Sequence, residues 1–388
     1  MQIKKLKIQH LRNHIDSEVI PNEKLNIFYG ANGSGKTTIL EAISIVSFSK
    51  SFTNSTDTAL IQNGENYYKV LAETSNNFDF KYKIEVFYQK GQRKKISDSF
   101  AEKQIPKNII GNIPLVHLSP DLKEITMGSP ENRREFIDKV LSQSSKSYLE
   151  NLINFKKALK QRNSLLSEFQ RTNTFDKNFF ESWNNVFIDL ATKIITKRFE
   201  FVNEISPLFK RIYSEITQNE EIVDLIYEPN SCEEYFQDLL NEDNKNQLFL
   251  KVFKSLAGKS VKLLPVELKR GLTLFGPQKD ELKILLNDAL AREQASQGQH
   301  KSMLIALKFA ELEFLHSITN EIPVVLLDDL FAELDENRIL LVLNKLIKKN
   351  AQTFITLTEP KFLYPNTQLN SIAKYFAVRY GKLMDSQL

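Results

Sequence analysis

The sequence predicts an α/β protein: a mixed sheet with flanking helices, interrupted by a helical insertion. Three observations carry this reading. A glycine-rich loop lies between a short apolar strand and a helical stretch near the N-terminus. Residues 131–257 contain no glycine and only two prolines, Pro207 and Pro229, while apolar residues recur at helical spacing. The last third of the chain alternates short apolar runs with helical patterns, the signature of a buried parallel sheet. The expected organisation is 1–125 for the first part of an α/β lobe, 126–265 for a helical arm and 266–388 for the rest of the lobe.

The elements follow in order. Ile3, Leu6 and Ile8 fall among lysines, and residues 25–29 form an apolar run. Residues 67–72 and 80–88 alternate with period two, and Lys90-Gly91 marks a turn. Leu149, Leu152, Ile153, Lys156, Leu159 and Lys160 are spaced as a helix, and so are Val186, Leu190, Ile194 and Ile195. Helix is expected to continue up to Pro207, and the more polar stretch 218–243 to hold a turn at Pro229. From residue 258 the expected order is strand 283–286, helix 301–318, strand 324–327, helix 335–349 and strand 353–357, with 375–378 closing the set.

Composition excludes several classes. Hydrophobic residues are 41% and charged residues 26%, which is globular and not disordered. Net charge is only +4, which permits a nucleic-acid partner without arguing for one. The single cysteine, Cys232, fits a reducing compartment. No apolar run approaches the roughly 18 residues of a membrane span, and residues 1–8 lack a signal-peptide core. A soluble cytoplasmic protein without a membrane partner is expected.

Gly30-Ala31-Asn32-Gly33-Ser34-Gly35-Lys36-Thr37 matches the phosphate-loop pattern, with Thr38 continuing into a helix. The glycines let backbone N–H groups turn toward phosphate oxygens, and the helix N-terminus adds partial positive charge. Lys36 reaches the outer phosphates, and the Thr37 hydroxyl can ligate Mg²⁺. Val324-Val325-Leu326-Leu327-Asp328-Asp329 is a buried strand ending in two carboxylates. Asp328 is placed to hold the metal, and Asp329 to orient or deprotonate an attacking water. Ser296-Gln297-Gly298-Gln299 opens a helix and offers a second phosphate-seeking surface. One loop and two such surfaces suggest a dimer in which Ser296 of one subunit caps the γ-phosphate held by the other. Ala332-Glu333-Leu334-Asp335 is expected to cross that interface.

This order of motifs resembles ATPases of the ATP-binding-cassette type, with Ser296-Gln297-Gly298-Gln299 as signature and Leu334-Asp335 as D-loop. Within that group the chain is similar to the RecF family. The resemblance rests on residues 6–13 and on Leu118-Ser119-Pro120-Asp121-Leu122 with Gly128-Ser129-Pro130, Arg133-Arg134 and Phe136-Ile137-Asp138. It extends through residues 159–166, Gly276-Pro277-Gln278-Lys279-Asp280 and residues 296–311. Where the family usually has His-Arg, this chain has Gln278-Lys279; where it has Gln-Arg, this chain has His300-Lys301. Lys keeps the charge without the planar fork of Arg.

The resemblance implies a protein that binds ATP with Mg²⁺, dimerises with it and hydrolyses it slowly. It further implies binding to DNA at junctions of duplex and single strand, and cooperation with RecO and RecR in loading RecA. Carried over by position, Lys36 and Thr37 bind phosphate and metal, Asp328 serves the metal and Asp329 the water. Ser296, Gly298 and Gln299 complete the site in trans, and Arg12 approaches the adenine or phosphate side. Arg93-Lys94-Lys95, Arg133-Arg134, and Lys156-Lys157 with Lys160 and Arg162 are candidate DNA contacts. Two alternatives stay open: the ATPase subunit of a membrane transporter, and a non-catalytic ATP-binding interaction protein.

Overall fold

The computed structural model describes the whole chain except residues 175, 218–220, 233–243, 361–370 and 385–388. The strands in chain order are β1 (Gln2–Leu11), β2 (His14–Val19), β3 (Leu25–Tyr29), β4 (Tyr67–Ser75), β5 (Lys81–Gln89), β6 (Lys95–Asp98), β7 (Leu115–Leu118), β8 (Val223–Glu228), β9 (Glu281–Leu286), β10 (Ala289–Leu290), β11 (Val324–Leu327), β12 (Thr353–Leu357), β13 (Ala373–Arg379) and β14 (Lys382–Met384). The longer helices are α1 (Lys36–Phe48), α2 (Pro130–Ser144), α3 (Lys146–Thr172), α4 (Lys177–Thr217), α5 (Lys245–Arg270), α6 (Gln297–Thr319) and α7 (Glu336–Lys348). They fall into two compact units, one of Met1–Leu122 with Glu311–Leu388, the other of Lys123–Ala310.

The first unit holds two sheets. One is antiparallel, in the order β2-β1-β4-β5-β6. Its strands bury alternate residues, as a sheet with one packed face must. The other runs β14-β13-β3-β12-β11-β7 and is parallel apart from the β13–β14 pair. Every residue of β7, β11 and β12 is buried, which explains their unbroken apolar runs. Helix α1 is buried nearly all round. Its Ile39, Ile43 and Val46 share one core with Ile8 and Val70 of the antiparallel sheet and with Phe28, Leu326 and Phe354 of the parallel one. A helix apolar on every side has no solvent face to present, so it sits between layers. Among the described residues, no helix is long and apolar enough to cross a membrane.

The second unit is mostly helical. Helix α4 packs against α3, α5 and β8. A small antiparallel sheet, β10-β9-β8, completes the unit. This corrects the expectation that residues 283–286 open the parallel series. β9 buries only every second residue, and its partner β8 lies in the polar stretch 218–243, for which only a turn was expected. A parallel strand covered on both faces would bury them all. Helix α4 also runs through Pro207 where a stop was expected. The inward stripe of Val202, Ile205, Phe209 and Ile212 continues past the proline, so packing outweighs the lost backbone hydrogen bond.

Asp280 lies at the centre of a buried polar network in this unit. It accepts from the Tyr227 hydroxyl and from the Asn230 N–H (2.9 Å), with Arg198 Nη1 3.6 Å away. Arg198 also donates to Asp138 and to the Pro277 carbonyl, each at 2.8 Å. Complete burial outweighs these favourable neighbours and pushes the Asp280 carboxyl up to about 6. The folded chain therefore holds this proton more tightly than the unfolded chain. The stability it contributes is full below about pH 4 and is lost as pH rises through about 6. Denaturant melts across pH 4 to 7 are expected to show native stability falling relative to Asp280→Asn. Parallel curves would refute the assignment.

Candidate nucleotide site

The loop between β3 and α1 is shaped by contacts from distant parts of the chain. Gly30 (φ +150°) donates to the Leu357 carbonyl at 3.3 Å, and a Cβ there would meet the Val378 carbonyl oxygen at 2.3 Å. Gly35 (φ +110°) is the N-cap of α1, and a Cβ would lie 2.7 Å from His14 Nε2 and 2.8 Å from Asn13 Oδ1. Any larger residue at either place would clash and carry backbone strain. Ala31, Asn32 and Gly33 form the exposed crown, while Ser34, Gly35, Lys36 and Thr38 are buried. The first turn of α1 leaves backbone N–H groups without intrahelical partners.

Lys36 Nζ donates to the carbonyls of Gly30 (2.8 Å) and Ala31 (3.0 Å), so the ammonium lies over the loop. Burial lowers its pKa; the fields of Asp329 and Asp328 oppose that shift. The Thr37 hydroxyl donates to Asp328 Oδ1 at 2.9 Å across 291 residues of sequence. Thr356, at the end of β12, donates to the same oxygen at 2.8 Å and accepts from the Asp329 N–H at 2.9 Å. Asp329 is exposed and adopts left-handed backbone (φ +48°), which turns the chain out of β11.

Asp328 is half-buried, and its carboxyl is raised above the ordinary range, first by burial; the Thr356 and Thr37 hydroxyls oppose this. For a raised carboxyl the folded state favours the protonated form. Stability from this group is present at low pH and lost as pH rises through the folded pKa. At neutral pH the ligand-free protein thus carries a charge it would fold better without. Asp328→Asn is expected to raise the melting temperature without ligand and to remove the extra stabilisation given by ATP–Mg²⁺. Thermal melts with and without ATP–Mg²⁺ check both halves.

The residues fit a metal–triphosphate. A hydroxyl and a carboxylate meeting at 2.9 Å form a hard oxygen set suited to Mg²⁺, which takes a few protein oxygens with phosphate and water. Ser34 Oγ is buried in the loop without a hydrogen-bond partner, leaving a polar atom for a ligand.

Several supporting residues escaped the sequence reading. His14 is fully buried; its Nε2 meets the Gly35 carbonyl at 3.0 Å and its Nδ1 meets Ser17 Oγ at 2.8 Å. A carbonyl can only accept, so Nε2 carries the proton. Burial lowers the His14 pKa. Asn13 Nδ2 donates to the Gly33 carbonyl at 3.0 Å. Buried Glu41 receives Arg12 Nη2 (3.0 Å) and the hydroxyls of Ser51 and Thr53 (2.7 Å each). Arg12 is thereby held on the flank of α1, with a further bond to Ser55 Oγ at 2.8 Å.

Ser296, Gly298 and Gln299 belong to the second unit. Ser296 N–H donates to Gln299 Oε1 (2.6 Å), and Gln299 N–H donates to Ser296 Oγ (3.3 Å). This reciprocal box caps α6 and leaves Ser296 exposed. Gln299 Nε2 also reaches Glu221 Oε1 at 2.6 Å. Asp335 N-caps α7 through the Arg338 N–H at 3.0 Å; the side chains of Ala332 and Glu333 lie outside the described residues.

The candidate DNA contacts are partly corrected. Arg162 is fully buried and pairs with buried Glu267 at 2.7 Å. Arg133 is buried on Glu281 at 2.8 Å, and Arg134 donates to the Asp280 carbonyl. Lys94 bonds Asp57 and the Ser49 carbonyl, both at 2.6 Å. Arg162, Arg133 and Lys94 are structural, because each one's charge is paired with an acid of its own unit, whereas Arg134 is half-buried on a backbone carbonyl. Arg93, Lys95, Lys156, Lys157 and Lys160 remain exposed.

A phosphate loop packed between two sheets, with an acidic strand end beside its threonine, defines a P-loop ATPase head of the ATP-binding-cassette class. Comparison with known proteins agrees. The model of the RecF/RecN/SMC N-terminal domain family matches residues 2–377. The DNA replication and repair protein RecF of Chloroherpeton thalassium is 33% identical over 93% of this chain and 96% of its own. That of Staphylococcus carnosus is 32% identical over 99% of this chain and all of its own. The solved structure of the recombination mediator protein RecF with ATP superposes with a TM-score of 0.87 at 28% identity, covering 98% of this chain and 96% of that one. An SMC head bound to the winged-helix domain of ScpA gives 0.54 at 16% identity, covering 99% of this chain and 97% of that one, a likeness of fold alone. The chain belongs to the RecF family.

Proposed function

We propose that this chain is an ATP-dependent DNA-binding protein of replication and recombinational repair, working as an ATP-gated dimer. The observation that carries the reading is the Thr37–Asp328 contact at the head of the phosphate loop. It joins the two residues that would hold Mg²⁺, whose charge would offset that of the outer phosphates. Lys36 would exchange the Gly30 and Ala31 carbonyls for phosphate oxygens. Arg12, fixed by Glu41, would flank the nucleotide. Asp329 would orient water and take its proton, and its short side chain suits slow turnover. Ser296, Gly298 and Gln299 of a second copy would close over the γ-phosphate, so that hydrolysis loosens the dimer.

The relatives' names support DNA as the partner, and the RecFOR pathway named for the solved ATP complex supports RecO and RecR alongside. RecA as the protein finally loaded would follow from the family resemblance alone. DNA contact would be mainly to phosphates and hence weakened by salt. A reducing cytoplasm suits the lone cysteine. Light scattering with and without ATP–Mg²⁺ tests the shared site. The native chain is expected to double in mass with nucleotide, and Ser296→Arg to remain single. Equal behaviour of the two would sink the proposal.

A further inference from the structure

The turn between β13 and β14 carries a residue that suits it badly. Arg379 pairs with Lys382, so Tyr380 and Gly381 alone make the loop. Both have positive φ, +49° and +69°, as a two-residue type I′ hairpin requires. Asparagine or aspartate before glycine fits such a turn, whereas a bulky aromatic in left-handed backbone is strained. The Tyr380 side chain is 92% exposed, so packing inside its own chain does not offset that strain. Strain held at one residue without a structural return points to a use outside the fold.

Gly381 fixes where the ring stands. Its N–H donates to the Ser34 carbonyl at 2.8 Å, and its own carbonyl accepts from Ser17 Oγ at 3.2 Å. A Cβ on Gly381 would run into the Asn13 carbonyl, so the turn is pressed onto the β1–β2 connection. Tyr380 is thereby anchored at the rim of the phosphate loop. A triphosphate has a direction on that loop. Mg²⁺ bridges the outer phosphates, and its candidate ligands Thr37 and Asp328 meet on one flank of the first turn of α1. Thr38 is turned about 100° round the helix from Thr37. Its hydroxyl stands 3.5 Å from Asn13 Oδ1. The nucleoside is at the end of the triphosphate remote from the metal, and so leaves by the Thr38 and Asn13 flank. That is the flank on which the Tyr380 turn rests.

We propose that Tyr380 stacks on the base of the bound nucleotide. The proposal rests on the ATP reading of the loop. Calorimetric titration of the full-length chain with ATP–Mg²⁺ and with tripolyphosphate–Mg²⁺, which has no base, tests it. Tyr380→Asn is expected to bind ATP at least about fivefold more weakly, the loss of one base–aromatic stack, and to bind tripolyphosphate as the native chain does. Its ligand-free melting temperature should rise, because asparagine suits the turn. Tyr380→Phe keeps the ring and should keep the ATP affinity. Unchanged ATP affinity in Tyr380→Asn would overturn the proposal. So would equal weakening of both ligands in that variant, a loss in Tyr380→Phe as large as in Tyr380→Asn, or a defect confined to nucleotide-dependent doubling of mass. A native chain that takes up neither ligand would instead refute the reading of the loop, and the proposal with it.

Discussion

Lys36→Ala is expected to weaken ATP binding by more than about a hundredfold and to abolish nucleotide-dependent doubling of mass, with little change in ligand-free stability. The ammonium now rests on two loop carbonyls, which it would exchange for phosphate oxygens. Two charge-assisted contacts at about 1.5 kcal/mol or more each come to roughly 3 kcal/mol, or two decades of affinity. Burial already disfavours the charged form in the ligand-free state, so removing it costs the fold little. Nucleotide titration followed by fluorescence, with thermal melts alongside, separates the two effects. A variant that binds ATP within a few-fold of native would show that Lys36 does not reach the phosphates.

The largest effect on stability is expected at Arg162. Its guanidinium donates to Asn184 Oδ1 (3.0 Å), Thr273 Oγ1 (2.8 Å) and Glu267 Oε2 (2.7 Å). It also stands 5.1 to 5.3 Å from the ring centroids of Phe180, Phe187 and Phe275. Arg162→Met leaves Glu267 charged and buried, which costs about 3–5 kcal/mol. For a unit of this size the melting temperature should fall by on the order of 10 °C. Adding Glu267→Leu removes the stranded charge and should restore part of the loss. If Arg162→Met melts like the native chain and only DNA binding suffers, the buried-pair account is wrong.

That residue also marks where sequence reading stops. Lys156, Lys157, Lys160 and Arg162 look alike as a basic helical cluster. Three are solvated and the fourth is the centre of a core, because its acid lies 105 residues away in α5. The phosphate loop was legible because its chemistry is local: eight consecutive residues between a strand and a helix. Asp328 and Asp329 were legible because an apolar run ending in two acids is rare and directional. The braces were not. His14, Glu41 and Thr356 are common residue types whose roles arise only when β2, α1 and β12 are brought to the loop by folding. β8 was hidden for a different reason. Asp224 and Glu228 are charged and Ile226 breaks the alternation, so its six residues carry no clear period of two.

Thr356 gives a single oxygen to two neighbouring acids, one through side chain and one through main chain. The two aspartates are therefore coupled like teeth on one gear. A displacement of the first carboxylate pulls on the anchor that fixes the peptide of the second, and neither can be re-aimed alone. Serine in place of Thr356 would preserve this linkage, whereas valine, of nearly the same shape, would let each acid turn by itself.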